Sequence, residues 1–201
     1  MSAHAETHAG HPPEAHQSSR VDARTLGMFL FIASEVMLFG SFFTAYFFAR
    51  VVNPDAPESW PPPGVHLPVF VAFVNTAILV TSSLTMHWAL QSIKRGNRVG
   101  LQAGLVLTVA MGLTFLLTQM IEYSRLGFAP RDGAIGSIFY GLTGLHGAHV
   151  FVGLSILTVV TIRAFRGHYT PEHHHGVEVP GIYWHFVDVM WIVVYTTVYI
   201  L

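Results

Sequence analysis

The sequence predicts an all-α, polytopic membrane protein built as a bundle of five transmembrane helices. Three observations carry this prediction. The 201 residues are 52% apolar and only 10% charged, with a mean hydropathy of +0.49, too apolar for a water-soluble domain of this size. Five apolar runs are each long enough to cross a bilayer. The segments between them hold most of the prolines and charges. The formal net charge of −1 offers nothing to a nucleic-acid partner. The chain has no cysteine, which excludes disulfides, thiolate metal sites and iron–sulfur clusters within it.

Two regions are expected: a polar tail over residues 1–23 and a transmembrane domain over residues 24–201. The tail, MSAHAETHAGHPPEAHQSSRVDA, is His-rich and expected to be flexible. It lacks the apolar stretch of a signal peptide, so the first helix itself must direct insertion. That helix is predicted over about 26–48 and carries Glu35. The connection that follows, VVNPDAPESWPPPGVHLP, is too proline-rich to be helical throughout, and Pro68 is well placed for a helix start. The second helix is predicted over 69–90, with His87 and Trp88 as interfacial anchors at its end. A short basic turn, KRGNR, leads to the third over 99–121. RLGFAPRDG leads to the fourth over 135–162, the longest, which must tilt or protrude. RAFRGHYTPEHHHGVEVPG leads to the fifth over 179–201. The triplet His173–His175 and the tail histidines His4, His8, His11 and His16 read as disordered polar segments able to bind divalent metal adventitiously.

Lysine and arginine set the orientation. Arg20, Arg24, Lys94, Arg95, Arg98, Arg163 and Arg166 fall on one side, against Arg50, Arg125 and Arg131 on the other. Seven against three predicts a cytoplasmic N-terminus and an outer C-terminus, with Tyr195 and Tyr199 as anchors at the outer interface.

The ionisable groups inside the spans need an explanation, because each costs roughly 2.5–3.5 kcal/mol to insert. They are Glu35 in the first helix, His146 and His149 in the fourth, and His185 and Asp188 in the fifth. Depths counted along the helices place all five in one overlapping slab. His146 and His149 share a helix face, as do His185 and Asp188. The slab therefore suggests a polar seam in which helices one, four and five hydrogen-bond to one another. Gly141, Gly144, Gly147 and Ala148 surround the histidines of the fourth helix. Gly144 and Ala148, in small-xxx-small register, suggest a close helix approach. The same five polar residues could alternatively form a metal or haem site. They resemble a di-metal ligand set in type, but the Glu-x-x-His pairing of such sites is missing. A proton-conducting or proton-buffering role for Glu35 is the third reading. At the outer end of helix three, Gln119, Glu122, Tyr123 and Arg125 form a polar cluster, read as a Glu122–Arg125 surface ion pair with added hydrogen bonds.

Four stretches carry a family resemblance: ASEVMLFGSFFTAYF, FLLTQMIEYSRLGF, GSIFYGLTGLHGAHVFVGLSIL and YWHFVDVMWIVVYTTVYI. In order and spacing they resemble subunit III of the haem-copper oxygen reductases, the cytochrome c oxidase subunit III family and its quinol-oxidase relatives. Helix two and the first loop match by pattern alone. The resemblance implies an accessory subunit of a proton-pumping oxidase with no catalytic residue, haem or metal of its own. Haem and copper belong to partner subunits. Subunit I is the implied packing partner, with subunit II and other respiratory-chain subunits nearby. Phospholipid binding, support of proton uptake and support of sustained turnover are implied too, in a bacterial cytoplasmic membrane. Carried over by position, Glu35 is the family's intramembrane carboxylate. His146, His149, Trp184, His185, Asp188 and Trp191 are its signature polar and aromatic positions. The family's long form has seven helices, and this chain resembles the short five-helix bacterial form. The alternatives are a quinol-oxidase subunit, a nitric-oxide-reductase-associated relative, a stand-alone membrane metalloenzyme and a proton-coupled transporter. The transporter would favour an internal repeat, and five spans do not divide into equal halves.

Overall fold

The computed structural model describes residues 22–52, 67–131 and 133–201. The expected tail therefore falls outside the described residues except for its last two positions, as does most of the proline-rich connection. Five helices, each long and apolar enough to span a membrane, make up the fold, and no strand occurs among the described residues. They are α1 (Ala23–Phe47), α2 (Val69–Lys94), α3 (Arg98–Tyr123), α4 (Gly133–Phe165) and α5 (His175–Tyr195). α1 and α5 each end in a widened π-type turn, over Phe48–Val52 and Thr196–Ile200.

The observed helices mostly run a few residues beyond their apolar cores. A bilayer offers the backbone no water, so hydrogen bonding continues until the chain reaches the interface. Asp22 caps α1 by accepting from the Arg24 N–H at 2.8 Å. Pro68 sits at the N-cap of α2. Gly96 takes a φ of 77° just past the end of α2, a left-handed turn that favours glycine. Asn97 then caps α3 by accepting from the Gly100 N–H at 2.9 Å. The start of α5 differs most from expectation. The sequence places it at 179, beside Pro180, whereas α5 begins at His175 and carries Pro180 inside. The extra turn is held by Glu178, whose carboxylate lies 3.1 Å from Lys94 and 3.4 Å from His175. Of the triplet His173–His175, the His173 N–H donates to the Thr170 carbonyl at 3.1 Å, His174 stands at the N-cap of α5 and His175 is its first residue.

The core lies where α5 meets α2, α3 and α4. Trp184 is fully buried, and its indole fills a gap left by two glycines on facing helices. A Cβ at Gly112 on α3 would fall 2.6 Å from the ring, and one at Gly153 on α4 2.9 Å from it. α2 and α3 approach closely at Gly104, where a Cβ would stand 2.7 Å from the Ala89 methyl and 3.0 Å from the Thr85 carbonyl oxygen. Gly144, by contrast, faces open space and Ala148 is exposed. The close approaches lie at other glycines, because a large ring has to be housed there. Tyr199 is buried and stacks on Tyr195 at 5.7 Å, so it faces the bundle rather than anchoring at a lipid interface.

α1 is the least enclosed helix. It packs on α4 and α5, and its buried residues, Phe39 and Tyr46, both lie in its second half. Leu26, Phe29, Leu30 and Phe31 in the first half are all exposed. Met28 and Ile32, in the same half, pack against the core.

The glycine gap makes a direct prediction. Gly104→Leu should lower stability by about 1–3 kcal/mol through overpacking of the α2–α3 contact. The loss should be read as a drop in the denaturant midpoint of the detergent-solubilised protein, with Gly144→Leu close to unchanged as the control.

Candidate functional site: the intramembrane polar groups

Hydroxyl side chains prepare the site. In α2, Thr76 donates to the Ala72 carbonyl at 2.7 Å and Ser82 to the Leu79 carbonyl at 2.6 Å. Each then has an oxygen lone pair left to accept a bond from a neighbouring helix. Two tryptophans of α5 use them: Trp184 Nε1–H donates to Ser82 Oγ at 3.0 Å, and Trp191 Nε1–H donates to Thr76 Oγ1 at 2.9 Å. Between them, His185 Nδ1 and Ser83 Oγ are 2.6 Å apart. Three polar contacts thus join α5 to α2. The seam read from sequence contained His185, and the resemblance added Trp184 and Trp191, but none of their α2 partners was singled out.

A second polar contact joins α1 to α4. His149 Nε2 lies 2.8 Å from Glu35 Oε2, and both side chains are mostly buried, at 12% and 16% exposure. The other ring nitrogen, Nδ1, lies 2.8 Å from the Leu145 carbonyl oxygen. A carbonyl only accepts, so Nδ1 carries a hydrogen. At 2.8 Å the Nε2–Oε2 contact must itself hold a proton, on one atom or the other. Phe39 packs on the His149 ring at 5.1 Å, and Tyr183 O–H donates to the His149 carbonyl at 3.2 Å. Beside the pair runs an apolar groove of about 150 Å³ lined by Phe31, Ala148, His149, Val152 and Tyr183.

The expected single seam therefore divides in two. Glu35 and His149 meet directly, and His185 turns to α2 instead. His146 makes no hydrogen bond among the described residues; its ring is packed between Trp191 at 4.7 Å and Phe115 at 5.7 Å. Asp188 is 4% exposed, and neither carboxyl oxygen has a hydrogen-bond partner among the described residues. The amide nitrogen of Asn75 on α2, 2% exposed, is likewise unpaired among them. Buried polar groups of this kind are ordinarily satisfied by protein or ordered water. No cluster of three or more His, Asp or Glu is set to hold a metal among the described residues.

At the far end of α3, Tyr123 O–H donates to Thr143 Oγ1 of α4 at 2.8 Å, and Gln119 is buried. Glu122 and Arg125 do not form the expected side-chain ion pair. They are joined instead through the backbone, the Arg125 N–H donating to the Glu122 carbonyl at 2.9 Å, because the helix is closing its last turn there. At the basic end, Arg24, Arg163, His168, Tyr169, His173, His175 and Gly176 line a cavity of about 270 Å³. Burial pushes the Tyr169 hydroxyl above the ordinary tyrosine range, opposed by the nearby Arg163 charge. Lys94, Glu178, His174, His175 and Asp22 form a charged rim beside it.

The α5–α2 contacts are testable by a double-mutant cycle on Trp184→Phe and Ser82→Ala. The expected coupling energy is about 0.6–1.7 kcal/mol, the range for hydrogen bonds between membrane helices, whereas Trp184→Phe with Ser155→Ala, which faces away, should show none.

Comparison with known proteins places these features in context. A family model described as cytochrome c oxidase subunit III matches residues 7–201. A cytochrome c oxidase subunit 3 from Thermostichus vulcanus is 41% identical over 187 residues, covering 92% of this chain and 91% of the relative. The proteins of the same name from Oryctolagus cuniculus and Lemur catta are 41% and 42% identical over 86% of this chain. The chain spans 67% and 64% of the length of those two relatives.

Proposed function

The chain belongs to the cytochrome c oxidase subunit III family, and from that premise we propose that it is an accessory, non-redox subunit of an aerobic respiratory oxidase. Haem and copper reside in its partners. It packs on the catalytic subunit I, with subunit II in the same complex, and cytochrome c is the electron donor. The membrane is a bacterial cytoplasmic membrane, with the basic end of the bundle inside. The observation that carries this reading is the family match along residues 7–201, nearly the whole chain. The names of the relatives support cytochrome c over quinol as donor.

The geometry supports a particular division of labour. The Trp184, His185 and Trp191 contacts hold α5 on α2 as a rigid scaffold. The α1–α4 groove is apolar, open to the side and flanked by aromatic rings, which suits a phospholipid acyl chain. The Glu35–His149 pair at its edge is the group closest in chemistry to a proton-buffering role. In this reading the subunit sustains proton uptake and protects turnover, and it performs no redox step.

Two outcomes test the proposal. Affinity purification of the tagged chain should bring down a complex whose reduced-minus-oxidised spectrum shows haem and which oxidises reduced cytochrome c. Purification without any haem protein would end the reading. Ala148→Trp, which fills the groove, should lower the phospholipid phosphorus per complex. It should leave the initial rate of oxygen consumption within about twofold and shorten the number of turnovers before inactivation. Unchanged lipid content would remove the groove as a lipid site.

A further inference from the structure

α5 is the most enclosed of the five spans, yet one stripe of it is left uncovered. Ile182 and His185 are half-buried on that stripe, and Val189, Ile192 and Thr196 are exposed. They follow one another at intervals of three, four, three and four residues, so all five share one helix face. The neighbouring side chains fix where the face points. Trp184, His185 and Trp191 bond to α2. Tyr183 and Phe186 pack against Phe31 and Phe39 of α1. Gly153 of α4 closes the opposite side, against Trp184 and Tyr183. The uncovered stripe therefore lies between α1 and α2. Those two helices both pack on α5 and barely on each other, so they form the walls of a trough floored by α5.

His185 is the side chain on that floor that asks for a partner. It lies close to the middle of a span that runs from His175 to Ile200. Its Nδ1 is 2.6 Å from Ser83 Oγ. Its Nε2 has no hydrogen-bond partner among the described residues. Whichever ring nitrogen bears the hydrogen, Nε2 is a donor or an acceptor, and a lipid chain answers neither. The outward hydroxyls of the bundle are in a different position. Thr196 on the same stripe, Thr114 on α3 and Ser155 on α4 are exposed, and each donates to a carbonyl of its own helix. They need nothing from outside, whereas His185 Nε2 makes no such bond. A polar group held at this depth and turned out of its own bundle is suited by a protein side chain rather than by an acyl chain.

We propose that the trough between α1 and α2 is a docking surface for a transmembrane helix of another oxidase subunit, one that brings a hydroxyl, amide or carboxyl side chain to His185 Nε2. This deepens the packing part of the proposed function and rests on the accessory-subunit reading for the identity of the partner. The surface itself stands on the uncovered stripe of α5 and the unpaired nitrogen on it. The stripe has the spacing with which one helix lies along another. Ile182, Val189 and Ile192 supply close apolar packing, and the single polar contact among them sets the register of the incoming helix.

A photo-crosslink in the purified complex tests the surface. A diazirine side chain in place of Val189, 57% exposed and one turn from His185, should form adducts with a transmembrane peptide of another subunit, identified by mass spectrometry. The same probe in place of Leu117 on α3, 52% exposed and away from the trough, should form adducts with phospholipid. Should the chain not accept the probe at Val189, Ile192, 43% exposed on the same stripe, makes the same test. Phospholipid adducts alone at the stripe, in a complex that carries haem, overturn the docking surface and leave the accessory role standing. Adducts with a second copy of this chain overturn it too. Adducts with a protein that is no oxidase subunit end the accessory reading and keep the surface. A second measurement reads the nitrogen. His185→Leu should raise about three- to tenfold the share of this chain lost when the complex is washed in detergent. Ser83→Ala, which removes the inner contact and leaves Nε2 facing the trough, should retain the chain. Equal loss in the two variants, or no loss in His185→Leu, overturns the polar contact.

Discussion

The indole of Trp184 is the constraint on which the rest of the bundle depends. It is fully buried, it needs a hydrogen-bond acceptor for its N–H, and it needs room. Ser82 on α2 supplies the acceptor at 3.0 Å. Gly112 on α3 and Gly153 on α4 supply the room, each lacking the Cβ that would strike the ring. One side chain of α5 thereby fixes its relation to three other helices at once. In lipid there is little hydrophobic drive between helices, so such packing and hydrogen bonding decide the arrangement.

Around that centre the polar groups fall into two systems with different characters. The α5–α2 contacts are made by tryptophan and small hydroxyls and carry no titrating proton, apart from the His185–Ser83 contact between them. They suit a permanent joint. The α1–α4 contact is a carboxyl–imidazole pair at the edge of a groove. It joins the least enclosed helix to the remainder.

Much of this was legible in the sequence, and the illegible parts have physical causes. Five spans follow from apolar length, which backbone desolvation makes a strong signal. The ends of α2, α3 and α4 were set too early because apolarity stops at the first polar side chain, while helical hydrogen bonding continues to the interface. The fifth helix was placed at 179, yet α5 begins one turn earlier, held by Glu178. The pairing of Glu35 with His149 joins two residues that the insertion cost had already singled out. The partners of α5 were missed because Thr76, Ser82 and Ser83 look like ordinary filler in a membrane helix. A faint signal existed: Thr76 and Ser83 are seven residues apart, as are Trp184 and Trp191, so both pairs recur on one helix face. Gly144 and Ala148 drew attention through their spacing, but spacing alone does not say which small residues face a ring.

We propose that Glu35, His149 and His185 join helices and that none of the intramembrane histidines and acids of this chain holds a cofactor. The most direct measurement is a haem and metal count on the purified complex before and after this chain is stripped from it with detergent. The account predicts that every haem and every metal ion stays with the remaining subunits, and that the released chain carries none. One equivalent of metal or porphyrin leaving with the chain, and retained by it in a form sensitive to His149→Ala, would contradict it.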